Sequence, residues 1–205
     1  MHRWERLNSI THLIGAVAAL AGMVVLVVFA SLKGDAWKIV SFSIYGICLF
    51  LLYFFSTLYH SHTGNNKTIL RKLDHIAIYL LIAGTYMPFT LVSLRGAWGW
   101  SLFGVVWGLA ILGILLDALT QKGRKILPVV IYVLMGWISL TAIKPLLQSL
   151  SVEGFMWLLS GGIFYTFGIA FYALDKRNPY YHTVWHLFVL AGSITHYVTI
   201  FSYVL

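Results

Sequence analysis

The chain has 205 residues, 60% hydrophobic and 10% charged, with a mean hydropathy of +0.86. Soluble domains carry roughly a quarter charged residues, so the composition excludes a soluble globular protein and points to an all-α, multi-pass membrane protein of one domain, residues 1–205. The formal charge of +8 then reports orientation and contact with anionic lipid, and no nucleic-acid partner is expected.

A bilayer core takes about 20 apolar residues per helix. Seven runs qualify: Leu13–Leu32, Ile39–Tyr59, Ile76–Leu94, Gly96–Leu116, Ile126–Ile143, Gly154–Leu174 and Thr183–Leu205. The first is too long for a signal peptide and lacks a small-residue cleavage site, so it is a retained span. The connections are short, which favours antiparallel neighbours in a seven-helix bundle. The single cysteine, Cys48, rules out an intrachain disulfide and a Cys-based zinc site.

Basic residues divide unequally between the two sides. Arg3, Arg6, Lys67, Arg71, Lys72, Lys122, Arg124, Lys125, Lys176 and Arg177 fall on one side, and Lys33, Lys38, Arg95 and Lys144 on the other. Ten against four puts the N-terminus in the cytoplasm and the C-terminus outside. Trp37, Trp98 and Trp100 then form an outer aromatic belt. Gly104 and Gly108 make a small-xxx-small pair suited to close helix packing. Pro88 should kink the third span, with Thr85 and Thr90 placed to satisfy freed carbonyls. Pro128 fits a helix start.

The same topology gathers polar groups at the cytoplasmic leaflet. His60 ends span two, Asp74 precedes span three, and His182 and His186 open span seven. His182 and His186 are one turn apart on one helix face, a spacing that suits one shared metal ion. With His60 they make three imidazole ligands, and three protein ligands with one open position is the catalytic zinc pattern. Ser56 lies one turn before His60 and can assist the ligand shell or an oxyanion. Asp74 can act on a water there, or cap span three.

Four other positions carry weaker expectations. His62 and His75 read as surface groups, and Asp117 as a solvated residue at the end of span four. His196, about 21 Å deeper than His182 on a similar face, reads as a hydrogen-bonded packing residue more than a proton relay. Glu5, Asn8, Thr11 and His12 recur at helical spacing just before span one, where they either dock beneath the bundle or cap the helix.

The chain resembles the hemolysin III branch of the progestin and adipoQ receptor family, linked to the alkaline ceramidases in a wider superfamily of seven-span hydrolases. The resemblance rests on Glu5-x-x-Asn8-x-x-Thr11-His12, Ser56-x-x-x-His60, Lys72-Leu73-Asp74-His75, Ala83-Gly84-Thr85-Tyr86 with Pro88, and His182-x-x-x-His186. It implies Zn2+ held by His60, His182 and His186, with Asp74 reaching it through water. In the adiponectin receptors and ceramidases such a site hydrolyses a ceramide amide. This chain carries no sizeable extracellular domain, so no protein-hormone partner is expected.

The leading expectation is therefore a zinc-dependent hydrolase of a lipid amide or ester in a bacterial cytoplasmic membrane. Asp74 is the base, Ser56 assists, and a membrane lipid is the partner. The alternatives are a pore-forming haemolytic protein and a non-enzymatic membrane-homeostasis protein with a structural or sensory zinc. The spans offer few rings of charge for a conducting pore.

Overall fold

The computed structural model describes residues 2–119 and 126–205, which are all-helical with no strand among them. Seven segments are long and apolar enough to cross a membrane, as the sequence predicts. They are α1 (Arg3–Leu32), α2 (Ala36–Ser61), α3 (Lys67–Pro88) with a π-helical turn (Phe89–Ser93), and α4 (Ala97–Leu119). The fifth span joins α5 (Ile126–Trp137), a 3-10 turn (Ile138–Ala142) and α6 (Ile143–Ser149). The last two are α7 (Val152–Ala173) and α8 (Tyr180–Thr199), the latter ending in a second π-helical turn (Ile200–Val204). Lys122, Arg124 and Lys125, which contribute to the charge asymmetry, lie outside the described residues.

Each span packs against its chain neighbours, and α8 returns against α1 to close a ring. The outside of the ring is apolar: Ile14, Val17 and Val24 on α1, Ile111 and Leu115 on α4, and Leu134 on α5 are all exposed. Exposed aliphatic residues in such number are what hydrocarbon solvates and water does not. Asn8, His12, Gly15, Ala16, Ala19, Leu26 and Ala30 form the buried stripe of α1, at helical spacing. Its small members let α1 approach closely, and the Tyr53 ring of α2 lies against Gly15.

Three local expectations need correction. The first helix starts at Arg3, ten residues before the apolar run, because its opening turns are polar yet buried among the other helix ends. Gly104 and Gly108 face open space rather than a neighbouring helix. The close approaches fall elsewhere: a Cβ at Gly113 would strike the Tyr79 ring, and one at Gly161 the His196 ring. Finally, α3 ends at Pro88 in a π-helical turn, where the missing amide of proline interrupts the α-helical ladder. Thr90 Oγ1 donates to the Tyr86 carbonyl at 2.9 Å and Thr85 Oγ1 to Leu81 at 2.7 Å, so neither reaches the Gly84 carbonyl that proline frees.

Trp98 and Trp100 are half exposed at the start of α4, and the Trp37 ring meets Trp100 edge-on at 6.0 Å. The Arg95 guanidinium lies 4.5 Å from the Trp37 ring centroid. The three tryptophans therefore share one end of the bundle, opposite the end where α1 begins.

Candidate metal centre

At that N-terminal end, the last turn of α2 and the first turns of α8 bring three imidazoles together. Ser56 and His60 belong to one buried stripe of α2 with Leu49, Leu52 and Tyr53. His182 and His186 continue along α8 into the buried residues Val189, Ser193 and His196. The ring centroids of His60, His182 and His186 are 4.9–5.1 Å apart in all three pairs. One ligand nitrogen from each lies within 4.8 Å of the others.

The second nitrogen of each ring is already engaged. His60 Nδ1 is 2.5 Å from Glu5 Oε2. His182 Nδ1 is 3.2 Å from Asp175 Oδ2, and His186 Nδ1 is 3.3 Å from the Asn8 carbonyl. Carboxylate and carbonyl oxygens only accept, so each Nδ1 carries a proton, and in the neutral ring Nε2 then presents a lone pair. The His60 Nε2 is buried and finds no hydrogen-bond partner among the described residues. A buried acceptor of this kind costs free energy unless something binds it. Three imidazoles, each oriented through its far nitrogen by an oxygen, fit the donor set and outer shell of a metal site of the kind zinc uses.

The outer shell comes mostly from α1. Lys67 Nζ lies 3.0 Å from Glu5 Oε1, so Glu5 links a lysine to His60. Thr183 Oγ1 donates to Asn8 Oδ1 at 2.6 Å. Thr11 Oγ1 donates to the Leu7 and Asn8 carbonyls and stands 3.5 Å from His186 Nδ1. The His12 ring stacks on His186 at 3.6 Å, 11° from parallel, and meets Tyr53 edge-on at 5.0 Å. Of the two expectations for this polar turn, docking onto the bundle is the one observed. Asp175, just beyond α7, was not among the residues singled out from the sequence.

Ser56 is buried and Asp74 half-buried, and both line the cavity that contains the three imidazoles. Asp74 sits in the second turn of α3 and so does not cap that helix, whose N-cap is Asn66. It stands apart from the tight three-histidine group. Two further expectations are corrected here. Asp117 is not solvated: its side chain is 16% exposed and lies 3.7 Å from His75 Nδ1. His75 is correspondingly a half-buried wall residue. His62 is half-buried as well, but off the cavity wall. His196 Nε2 donates to the Leu158 carbonyl at 3.1 Å, the packing role its position predicts, and its ring also lines the cavity.

The cavity has a volume of about 650 Å³, within the range of small-molecule sites. Its walls are mostly aliphatic and aromatic away from the histidines. Gly136 of α5 and Thr166 of α7 both line it and are both exposed, so it opens sideways between these helices. Trp137 Nε1 donates to Thr166 Oγ1 at 3.0 Å across this opening.

A family model described as "Haemolysin-III related" matches residues 2–197. The chain is 45% identical over 202 residues to the protein named "Hemolysin-3" of Bacillus cereus, covering 98% of this chain and 92% of that one. It is also 45% identical over 200 residues to the "Hemolysin-3 homolog" of Bacillus subtilis (strain 168), covering 97% and 93%. A more distant relative is the human "Monocyte to macrophage differentiation factor", 27% identical over 202 residues, covering 96% and 82%.

Proposed function

The chain belongs to the haemolysin-III-related family, and from that premise we propose that it is a zinc-dependent hydrolase of an amide or ester bond in a membrane lipid. The observation that carries this reading is the convergence of His60, His182 and His186, each held through Nδ1 so that Nε2 is free to ligate. The bacterial relatives and the charge asymmetry support a place in a cytoplasmic membrane with the site at the cytoplasmic leaflet.

His60, His182 and His186 would hold the zinc, which would supply Lewis acidity to a carbonyl oxygen. The protein's own residues supply the rest. The sideways opening and apolar walls admit and hold acyl chains and exclude bulk water. Asp74 takes the proton of the attacking water and returns it to the leaving nitrogen or oxygen as the C–N or C–O bond breaks. Ser56 donates a hydrogen bond to the oxyanion that develops on the carbonyl. Glu5, Asp175 and Asn8 hold the imidazoles in one tautomer and one orientation.

The test is metal content of chain purified without chelators, by elemental mass spectrometry, beside His182→Ala/His186→Ala. About one zinc per chain, lost in the double variant, is the expected result. Wild type should then release fatty acid from a lipid panel, and Asp74→Asn should not. Absence of metal from the wild type would overturn the proposal.

The name of the bacterial relatives supports a second reading, membrane lysis by a pore. Conductance in planar bilayers that disappears on His60→Ala would favour it over hydrolysis.

A further inference from the structure

Away from the gap between α5 and α7, the cavity wall reaches the surface again at Thr68 and Lys72, both exposed, beside the half-buried Arg71. Arg71 and Lys72, in the second turn of α3, line its wall together with Thr68 one turn earlier. Four carboxylates line the same space: Glu5, Asp74, Asp117 and Asp175. Three of them face histidines, Glu5 with His60, Asp117 with His75 and Asp175 with His182. Glu5 also engages Lys67. Arg71 and Lys72 take part in no ion pair among the described residues, although Asp74 lies within three positions of both.

Two cations on the wall of a largely apolar cavity are thus left without a carboxylate partner. The local helix does not call for them. The first turn of α3 holds no acidic residue for either to pair with along the helix. A half-buried guanidinium and an exposed ammonium on one cavity wall, with a threonine hydroxyl one turn earlier, offer donors of the kind that phosphate oxygens take.

We infer that Arg71 and Lys72 form the headgroup subsite of this cavity and that the lipid it takes carries an anionic phosphate. This rests on the reading of the cavity as a lipid site and narrows it. A phosphate-bearing glycerolipid matches the charge of the entrance, and a neutral lipid such as a ceramide leaves both cations unpaired. The apolar interior beyond them receives the acyl chains.

The test uses the full chain, zinc-loaded, in a neutral detergent. The probes are dihexanoyl phosphatidic acid, dihexanoylglycerol and inorganic phosphate. Binding is read by the fluorescence of Trp4 and Trp185, both on the cavity wall. The phosphate lipid should bind about tenfold tighter than the neutral one. Arg71→Gln/Lys72→Gln should abolish that preference, with affinity for the neutral probe and zinc content unchanged. Lys176→Gln/Arg177→Gln, which alters two cations at the same end of the bundle but off the cavity wall, should leave it intact. Inorganic phosphate should compete only weakly. Equal affinity for both lipids, no effect of the Arg71/Lys72 pair, or an equal effect of the Lys176/Arg177 pair would overturn the assignment. Inorganic phosphate as tight as the lipid would also overturn it. A chain that keeps the phosphate preference but releases no fatty acid would sink the hydrolase reading alone.

Discussion

The Nδ1 of His60, at the end of α2, lies 2.5 Å from the Oε2 of Glu5, in the opening turn of α1 and 55 positions earlier. A charge-assisted hydrogen bond at this distance fixes the ring with a proton on Nδ1 and sets its orientation. Lys67 holds the other Glu5 oxygen at 3.0 Å. Glu5→Gln removes the charge but keeps an oxygen that can accept. We expect it to weaken metal binding by about 10–100-fold while leaving the fold intact. Competition against a chelator of known affinity measures the first effect, and thermal unfolding of the metal-free chain the second. Wild-type affinity in Glu5→Gln would mean that this contact does not orient a metal ligand.

How far the sequence reveals this arrangement depends on which signal each residue emits. His60, His182, His186, Asp74 and Ser56 are legible because span counting alone places them at one end of the bundle, and all five line one cavity. Glu5 and Asn8 are legible only as a polar periodicity with two open meanings. Their partners lie 55 and 178 positions away, and nothing local predicts that a backbone carbonyl at Asn8 will meet His186. Asp175 gives no periodic signal, since it falls in the connection between α7 and α8. The Gly104/Gly108 pair misleads because a small-residue motif states that close approach is possible and not where it occurs. Gly161 and Gly113, outside any such motif, make the actual close contacts.

Gly161 gives a packing prediction that separates these cases. A Cβ there would overlap the His196 ring and press on Thr195 Oγ1. Moving the ring would also break the Nε2 bond to the Leu158 carbonyl. Gly161→Ala should therefore destabilise by about 1–3 kcal/mol, enough to outweigh the roughly 1 kcal/mol that alanine gains in helix propensity. His196→Ala made in the same chain should recover part of that loss, a coupling that a double-mutant cycle of thermal stability measures. Gly104→Ala and Gly108→Ala, which add a methyl to open space, should be neutral or stabilising. A loss of stability in either would place a second copy of the chain against α4.

The sideways opening gives the last prediction, and it concerns rate rather than stability. A Cβ added at Gly136 would meet no atom within 4 Å, and one at Gly162 only the Trp137 ring at 3.9 Å. A Cβ is thus accommodated at both positions, and larger side chains are built from there at the gap between α5 and α7. Gly136→Leu and Gly162→Phe should keep their zinc, because the three ligands and the oxygens that hold their Nδ1 atoms lie on α1, α2, α8 or the connection before α8. If lipid enters from the membrane by this gap, initial rates on a long-chain lipid should fall by about tenfold or more, on the scale that a misplaced methylene costs in a fitted site. A short-chain, water-soluble analogue that reaches the cavity past Arg71 and Lys72 should be spared. Equal losses for both substrates would mean that the substitutions disturb the reacting centre. Wild-type rates for both would mean that acyl chains do not pass between α5 and α7.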